Sequence, residues 1–294
     1  MQSMKALVLG SINIDKTYSV ARLAHPGEPV HATSLKESPG GKGLNQAVSL
    51  KRAGLDVYIA GCVGADGNMP LELLKAVGVN TDNVLKCAEP TGHAIIQVDS
   101  DGLNNIIVFG GANRLVTTEM IDRVLDKFNK GDLLVLQNEI SNTAYAIQAG
   151  AQRGLKVVFN PSPLNKEVLK YPIGNVSLLI LNETESEFFG GRDRLCSLYP
   201  NTEILITLGD KGSIFVKNGK KDLFCPAFSV TAKDTTGAGD TYTGFCLAGI
   251  AHGMDIAAAM RFASAAAALS ATKAGAAESV PTFEETEHFL NNYK

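Results

Sequence analysis

The 294-residue sequence has no tryptophan, only five cysteines, 19% charged residues and a formal net charge of −3. It has no block of like charge, so it offers no electrostatic patch for a nucleic acid or an anionic membrane, and we expect neither as a partner. The cysteines are odd in number, scattered and without a C-x-x-C pair, which indicates neither a disulfide framework nor a zinc site. Reduced thiols in a cytoplasmic protein are therefore expected.

Long apolar runs are also missing. The run at residues 5–10 is too short for a signal peptide and is soon followed by Asp15 and Lys16. The most apolar stretch, residues 256–269, is interrupted by Arg261 and is shorter than the ~20 residues that a membrane span needs. We therefore expect a protein that acts on a small molecule. Its 45% hydrophobic residues allow a sizeable core.

Short apolar runs alternate with helical patterns along the chain. Continuous apolar runs are typical of strands buried on both faces, and the helical patterns between them end at residues such as Gly54 and Gly154. This alternation predicts one α/β domain over residues 1–294, with helices on both sides of a central, mostly parallel sheet. The predicted strands are at residues 5–10, 57–61, 133–137, 156–160, 178–182 and 204–208.

Two segments break this alternation. Residues 94–109 predict a hairpin around Asp101 and Gly102, and residues 214–224 predict another around Asn218 and Gly219. We expect an antiparallel hairpin to lie off a parallel sheet. The first hairpin, together with residues 16–36, is predicted to form a small β-sheet lid.

The run from Asp234 to Asp240 (DTTGAGD) precedes a helical pattern at residues 241–252. Small residues at a helix start leave backbone N–H groups free to bind a phosphate. An acid at that position has two interpretations. Asp240 is either a base that takes a proton from an attacking hydroxyl, or a simple helix N-cap.

A second glycine-rich turn, Gly40–Asn45 (GGKGLN), also opens onto a helical pattern. It lacks the P-loop spacing, and residues 10–15 lack the glycine spacing of a dinucleotide fold. Asn13 and Asp15 follow the first strand, where α/β proteins bind ligands. They suit adjacent sugar hydroxyls, although an Asx turn would explain them equally.

Taken together and in order, these motifs resemble those of the ribokinase family of sugar kinases. The similarity covers nearly the whole chain and also includes Gly111–Asn113, Asn160–Pro163, Asn182–Glu185, Thr207–Gly212 and Gly275–Pro281. It implies a ribokinase-like three-layer sandwich. It also implies the transfer of phosphoryl from ATP to a sugar, with D-ribose 5-phosphate and ADP as the expected products from D-ribose. A kinase for deoxyribose, another sugar or a nucleoside is the alternative, and a catalytically silent sugar-binding protein is a weaker one.

The resemblance assigns roles residue by residue. Asp240 would be the general base, and the amides of Gly237, Ala238 and Gly239 would form an anion hole. The implied sugar-binding residues are Asn13, Asp15, Gly41, Lys42, Asn45, Glu139 and Asp240. The implied ATP-binding residues are Asn182, Thr207, Gly209, Gly212, Gly239 and Ser264, although Ser264 stands where the family more usually has asparagine.

Two cations are implied by the same resemblance. Asn182 and Glu185 would position Mg²⁺ through water. A potassium ion would lie beside the anion hole, and there an unpaired carboxylate at Asp234 would need a neutralising cation. The implied potassium-binding residues are Asp234, Thr236, Ser270, Lys273, Gly275 and Ser279. Ribokinases pair their lids, so a homodimer through the lid is also expected.

Overall fold

A computed structural model describes residues 4–217 and 222–293. These residues form thirteen strands in two sheets and nine α-helices. The strands are β1 (Lys5–Leu9), β2 (Asn13–Val20), β3 (Ala32–Gly40), β4 (Asp56–Val63), β5 (Asn80–Lys86), β6 (Gly92–Val98), β7 (Asn104–Phe109), β8 (Leu133–Gln137), β9 (Lys156–Asn160), β10 (Leu178–Asn182), β11 (Glu203–Thr207), β12 (Gly212–Val216) and β13 (Leu223–Pro226).

Three helices end close to positions that the sequence predicts, just before Gly54, Gly154 and His252. Within the described residues, no helix is both long and apolar enough to cross a membrane. The helices are α1 (Lys42–Arg52), α2 (Asn68–Ala76), α3 (Thr118–Leu125), α4 (Thr143–Gln152), α5 (Glu183–Phe188), α6 (Arg192–Leu198), α7 (Ala238–Ala251), α8 (Ile256–Ala271) and α9 (Phe283–Asn292).

The large sheet has the strand order β13-β12-β11-β10-β9-β8-β1-β4-β5. Its strands are parallel from β5 to β11, as the apolar runs predict. Leu9 at the end of β1 is in register with Leu136 on one side and Ala60 on the other. The carboxyl ends of neighbouring strands therefore meet at one edge, where a parallel α/β sheet binds its ligands.

Helices cover both faces of this sheet and give the three layers. Alternate residues of β1 point to opposite faces, so Ala6 and Val8 join one core cluster and Leu7 and Leu9 the other. The first cluster includes residues of α1, α7 and α8, and the second includes residues of α3 and α4. A strand covered on both faces has to be apolar along its whole length, which explains the continuous runs.

The small sheet has the order β3-β2-β6-β7 and contains both predicted lid segments. Its strands begin earlier than residues 16 and 94, so β2 already includes Asn13. The β6–β7 hairpin is confirmed, but its connection spans residues 99–103 rather than a two-residue turn. Oδ1 of Asp99 accepts hydrogen bonds from the N–H groups of Asp101 and Leu103 and holds this longer loop.

The expectation for the second hairpin was wrong. Strands β12 and β13 do not leave the large sheet but continue it, because β12 pairs antiparallel with β11. Ile214 lies opposite Ile206 in this pairing. An antiparallel strand can complete the open edge of a parallel sheet, and the turn signals alone do not exclude this. The predicted turn residues Asn218 and Gly219 lie outside the described residues.

Candidate active site

Asp240 lies in the first turn of α7, where it is 6% exposed. Its Oδ2 accepts a hydrogen bond from Asn45 Nδ2 at 3.2 Å, and its Oδ1 accepts one from Gln46 Nε2 at 2.9 Å. The N-cap of α7 is Gly237. The interpretation of Asp240 as a simple N-cap is therefore wrong, since its carboxylate is held by side chains of α1.

The start of α7 presents backbone rather than side chains. Gly237 has φ +75°, a left-handed conformation that favours glycine, and a Cβ there would lie 3.0 Å from Ala276. A Cβ added at Gly239 would meet nothing within 4 Å, so this glycine faces open space. Among the described residues, the N–H groups of Gly239 and Asp240 have no partner, whereas Ala238 donates to the Thr235 carbonyl at 3.2 Å. An anion in that space would meet free donors and the positive end of the helix dipole.

The side chains of Asn13 and Asp15 project from the same face of β2, two residues apart. Oδ1 of Asn13 accepts a hydrogen bond from Asn113 Nδ2 at 2.7 Å. A Cβ at Gly40 would lie 2.2 Å from Asp15 Oδ2, so only glycine leaves room for this carboxyl. Burial, with repulsion from Glu139, raises the pKa of Asp15 to about 6.

Glu139 connects the end of β8 to the start of α1. Its Oε2 accepts a hydrogen bond from the Lys42 backbone N–H at 3.1 Å and another from the Ser11 hydroxyl. The N-cap Gly41 has φ +93°, and a Cβ there would lie 3.0 Å from the Ser11 carbonyl oxygen. The predicted residues Gly41, Lys42 and Glu139 are thus close together.

The ammonium of Lys42 faces several acidic groups. The negative charge of Asp240 raises its pKa, burial opposes this, and Glu139 and Glu185 add to the increase. Lys42 therefore carries a fixed positive charge near these acidic groups. A cation in this place can stabilise negative charge that develops close to Asp240.

Two buried side-chain atoms lack a hydrogen-bond partner among the described residues, Asn45 Oδ1 and Gln137 Oε1. An unpaired buried acceptor is costly, and native proteins retain few of them. Asn45 already donates to Asp240 through its amide nitrogen, so its oxygen is free to accept from a ligand hydroxyl. This free acceptor lies on the same side chain that binds the predicted base.

The predicted nucleotide-binding residues surround the ends of β10 and β11. Asn182 and Glu185 form a capping box at α5, with bonds of 2.8 and 3.0 Å, and Glu185 is buried. Thr207 ends β11, and Gly209 and Gly212 follow it, both with positive φ. Ser264 is 6% exposed and its hydroxyl donates to the Pro226 carbonyl at 3.3 Å.

The predicted potassium-binding residues meet beside the start of α7. Both carboxylate oxygens of Asp234 accept backbone hydrogen bonds at 2.9 Å, one from Thr236 and one from Gly275. Partial burial opposes ionisation of Asp234, but these hydrogen bonds hold its pKa below its usual value. They supply no counter-charge, so the potassium assignment stays a prediction. The hydroxyls of Ser270 and Ser279 lie 2.7 Å apart. Lys273 Nζ lies 3.4 Å from Glu285.

Four residues of the site had no predicted role. Ser11 and Asn113 hold Glu139 and Asn13, while Gln46 and Gln137 form a buried chain behind Asp240. Gln137 was visible in the sequence as the polar end of an otherwise apolar strand. Its partner, however, lies 91 residues away in sequence, which no local pattern indicates.

Three comparisons place this geometry among known proteins. The model of the pfkB family carbohydrate kinases matches residues 3–283. A ribokinase from Haemophilus influenzae is 34% identical over 304 residues, covering 97% of this chain and 98% of that protein. A deoxyribokinase from Salmonella typhi is 32% identical, with 98% and 99% covered.

The fold is shared as well. The structure of Arabidopsis thaliana ribokinase complexed with ribose and ATP is 28% identical and superposes with a TM-score of 0.87, with 100% of both chains covered. The similarity thus spans the large sheet, the small sheet and the site between them.

Proposed function

This chain belongs to the pfkB family of carbohydrate kinases, and we propose that it transfers phosphoryl from ATP to the terminal hydroxyl of D-ribose. The observation that carries the proposal is the position of Asp240. Its buried carboxylate is held by side chains of α1 on one side, and the free N–H groups of α7 face open space on the other. A hydroxyl nucleophile and a phosphoryl group can therefore meet at one carboxylate.

The proposed division of labour follows from the donors and acceptors. Asn13, Asp15, Asn45 and Glu139 provide oxygen and amide groups that suit neighbouring sugar hydroxyls. Asp240 accepts the proton of the attacking hydroxyl. The N–H groups at the start of α7 stabilise the charge on the transferring phosphoryl, and Lys42 adds a positive charge nearby.

The residues fit two supporting cations. Glu185 is buried with one carboxylate oxygen engaged in its helix cap, so a hydrated Mg²⁺ with ATP phosphates suits it and Asn182 better than direct coordination. Asp234, Ser270, Gly275 and Ser279 bring a carboxylate, hydroxyls and loop backbone together, which suits potassium. Mg²⁺ would neutralise phosphate charge, and potassium would hold the loop beside the anion hole.

A substrate panel tests the proposal. Turnover of D-ribose, deoxyribose, fructose and adenosine is measured with coupled detection of ADP. D-Ribose is expected to give the highest kcat/KM, because a site built to bind hydroxyls rejects analogues that lack one. If deoxyribose is preferred, the chain is a deoxyribokinase, an alternative supported by the deoxyribokinase from S. typhi. If no sugar or nucleoside is phosphorylated, the kinase proposal fails.

We also propose a cytoplasmic homodimer formed through the edge strand β7 of the small sheet. Ile106, Ile107, Val108 and Phe109 on the edge strand β7 are all between 47% and 64% exposed, and Leu35 on β3 is 51% exposed. A large exposed apolar strand edge promotes aggregation unless another protein surface covers it. Light scattering at micromolar concentration is expected to give a dimer mass and, for Ile107→Lys, a monomer mass. A monomeric wild type would contradict the proposal.

A further inference from the structure

A chain of three buried polar side chains extends from Asp240 into the core. Gln46 Nε2 donates to Asp240 Oδ1 at 2.9 Å, and Gln137 Nε2 donates to Gln46 Oε1 at 2.6 Å. Both glutamines are fully buried. We call this chain, Gln137–Gln46–Asp240, the amide relay.

We propose that Gln46 and Gln137 are positioning residues that fix the carboxylate of Asp240 for proton abstraction, an inference that rests on the proposed kinase function. The two glutamines act in series. Gln46 contacts the carboxylate directly, and Gln137 acts only through Gln46.

The direction of the relay follows from the chemistry of its members. An ionised carboxylate can only accept hydrogen bonds, so Gln46 has to turn its NH₂ group toward Asp240. The oxygen of Gln46 then faces Gln137, which has to present its own NH₂ group. One charge thereby sets the orientation of both amides, and the amides in turn hold one oxygen of the carboxylate in place.

Gln137, at the end of the relay away from Asp240, has an energetic cost in the folded protein that packing alone does not explain. Gln137 Oε1 has no partner among the described residues, and a Cβ added at Gly10 would lie 2.1 Å from it. A methionine would fill a similar volume and remove Gln137 Oε1, but it would leave Gln46 Oε1, which is also buried, without its donor. The NH₂ group of Gln137 therefore has a use that offsets the unpaired oxygen, and its one acceptor is Gln46.

The relay and the sugar-binding residues hold different oxygens of Asp240. Asn45 donates to Oδ2, whereas Gln46 donates to Oδ1. Loss of the relay should therefore impair proton transfer more than sugar binding.

The test begins with Gln137→Met, which keeps the volume and removes the donor. We expect kcat to fall by about tenfold, part of the 10²–10⁴-fold that a positioned base contributes. The dissociation constant for D-ribose, measured by calorimetry, should change less than about threefold, since Asn45 is untouched. An unchanged kcat would overturn the proposal.

A double-mutant cycle separates positioning from general damage. Gln46→Met should lower kcat at least as much as Gln137→Met, and the double variant should lose no more than Gln46→Met alone, because the two act in series. If the fold-loss of kcat in the double variant equals the product of the two single losses, the glutamines act independently and the relay is contradicted. Ser49→Ala is the matched control, since this fully buried serine of α1 donates to the Thr241 carbonyl and not to Asp240. It should lower Tm and leave kcat unchanged.

A crystal structure of ligand-free Gln137→Met tests the geometry without any substrate. The relay predicts that the Gln46 side chain shifts from its present position with its NH₂ group still toward Asp240, and that the carboxylate of Asp240 shifts with it. Side chains that stay in place would reject the relay. If the variant shows this rearrangement while the wild-type protein phosphorylates no substrate, the proposed function fails, but the relay still fixes the position of the Asp240 carboxylate.

Discussion

The two halves of the candidate site present different chemical groups, side chains in one and backbone N–H groups in the other. The half that we propose binds the sugar consists of side chains, with Asn13 and Asp15 on β2, Asn45 on α1 and Glu139 after β8. The half that we propose binds phosphate consists mainly of backbone at Gly237–Asp240, where small residues leave N–H groups free. Side chains give selectivity for hydroxyls, and backbone gives an anion site that any phosphate can use. Asp240 is the one side chain that belongs to both halves.

Asp240→Asn should give the largest effect, because it removes the base that the two halves share. We expect kcat to fall by about 10³-fold or more, within the range for loss of a general base, while D-ribose still binds. Stopped-flow turnover and calorimetry measure the two quantities.

The matched control for this change is Asp255→Asn. Asp255 is an N-cap whose side chain accepts from Ala258 N–H at 2.8 Å, and asparagine caps equally well. Its kcat should be unchanged. A similar loss in both variants would mean that the effect comes from helix stability and not from catalysis.

Gly239→Val tests the backbone half alone. Its side chain would enter the open space at the start of α7, so we expect kcat to fall by about 10²-fold, comparable to the loss of an oxyanion-hole donor. The dissociation constant for the sugar should not change. Gly174→Val is the control, since Gly174 also faces open space but lies far from α7 in sequence. Full activity of Gly239→Val would contradict the placement of the phosphoryl group.

Asn45→Leu tests the side-chain half. The variant loses the free acceptor Oδ1 and the bond to Asp240, so KM for D-ribose should rise by about 10- to 100-fold, the range for one or two buried hydrogen bonds. KM for ATP should change little. If the KM values for D-ribose and for ATP rise equally, the two halves of the site do not bind their substrates independently.

Asp15→Asn should give the smallest effect, and on stability rather than rate. The folded-state pKa of Asp15 is raised from 3.8 to about 6, so its contribution to stability falls as pH rises from about 4 to about 6. The variant should therefore be more stable than wild type by at most about 3 kcal/mol at pH 8 and by less at pH 5.

Urea unfolding at the two pH values measures this difference. Asp56→Asn is the control, because Asp56 is exposed near the amino end of the sheet and its substitution should change stability by less than about 0.5 kcal/mol. If Asp15→Asn gains the same free energy of unfolding at both pH values, burial does not raise the pKa of the Asp15 carboxyl. Weaker binding of D-ribose would accompany the gain if Asp15 contacts the sugar.

The sequence predicted most strands of the large sheet because their signals are local. Continuous apolar runs located β1, β8, β9, β10 and β11 within about one residue. The placement of β12 and β13 was wrong, because turn residues mark a hairpin without saying which strand edge it pairs with. That edge is decided by packing against β11.

The sequence named candidate site residues but could not indicate the contacts between them. Asp240 and Asn45 are 195 residues apart, and the resemblance to a family brought them together where periodicity could not. The amide relay had no such support, because its members look like ordinary polar residues until their distances are known. The N-cap alternative for Asp240 likewise needed the position of Gly237 to be rejected.

A crystal structure with D-ribose and a non-hydrolysable ATP analogue tests the central claim most directly. We predict that the terminal hydroxyl of the sugar lies within about 2.6–3.2 Å of a carboxylate oxygen of Asp240, the reach expected of a general base. The γ-phosphate should face the N–H groups of Gly239 and Asp240. A sugar hydroxyl outside hydrogen-bond reach of Asp240, with the γ-phosphate bound away from α7, would contradict the account.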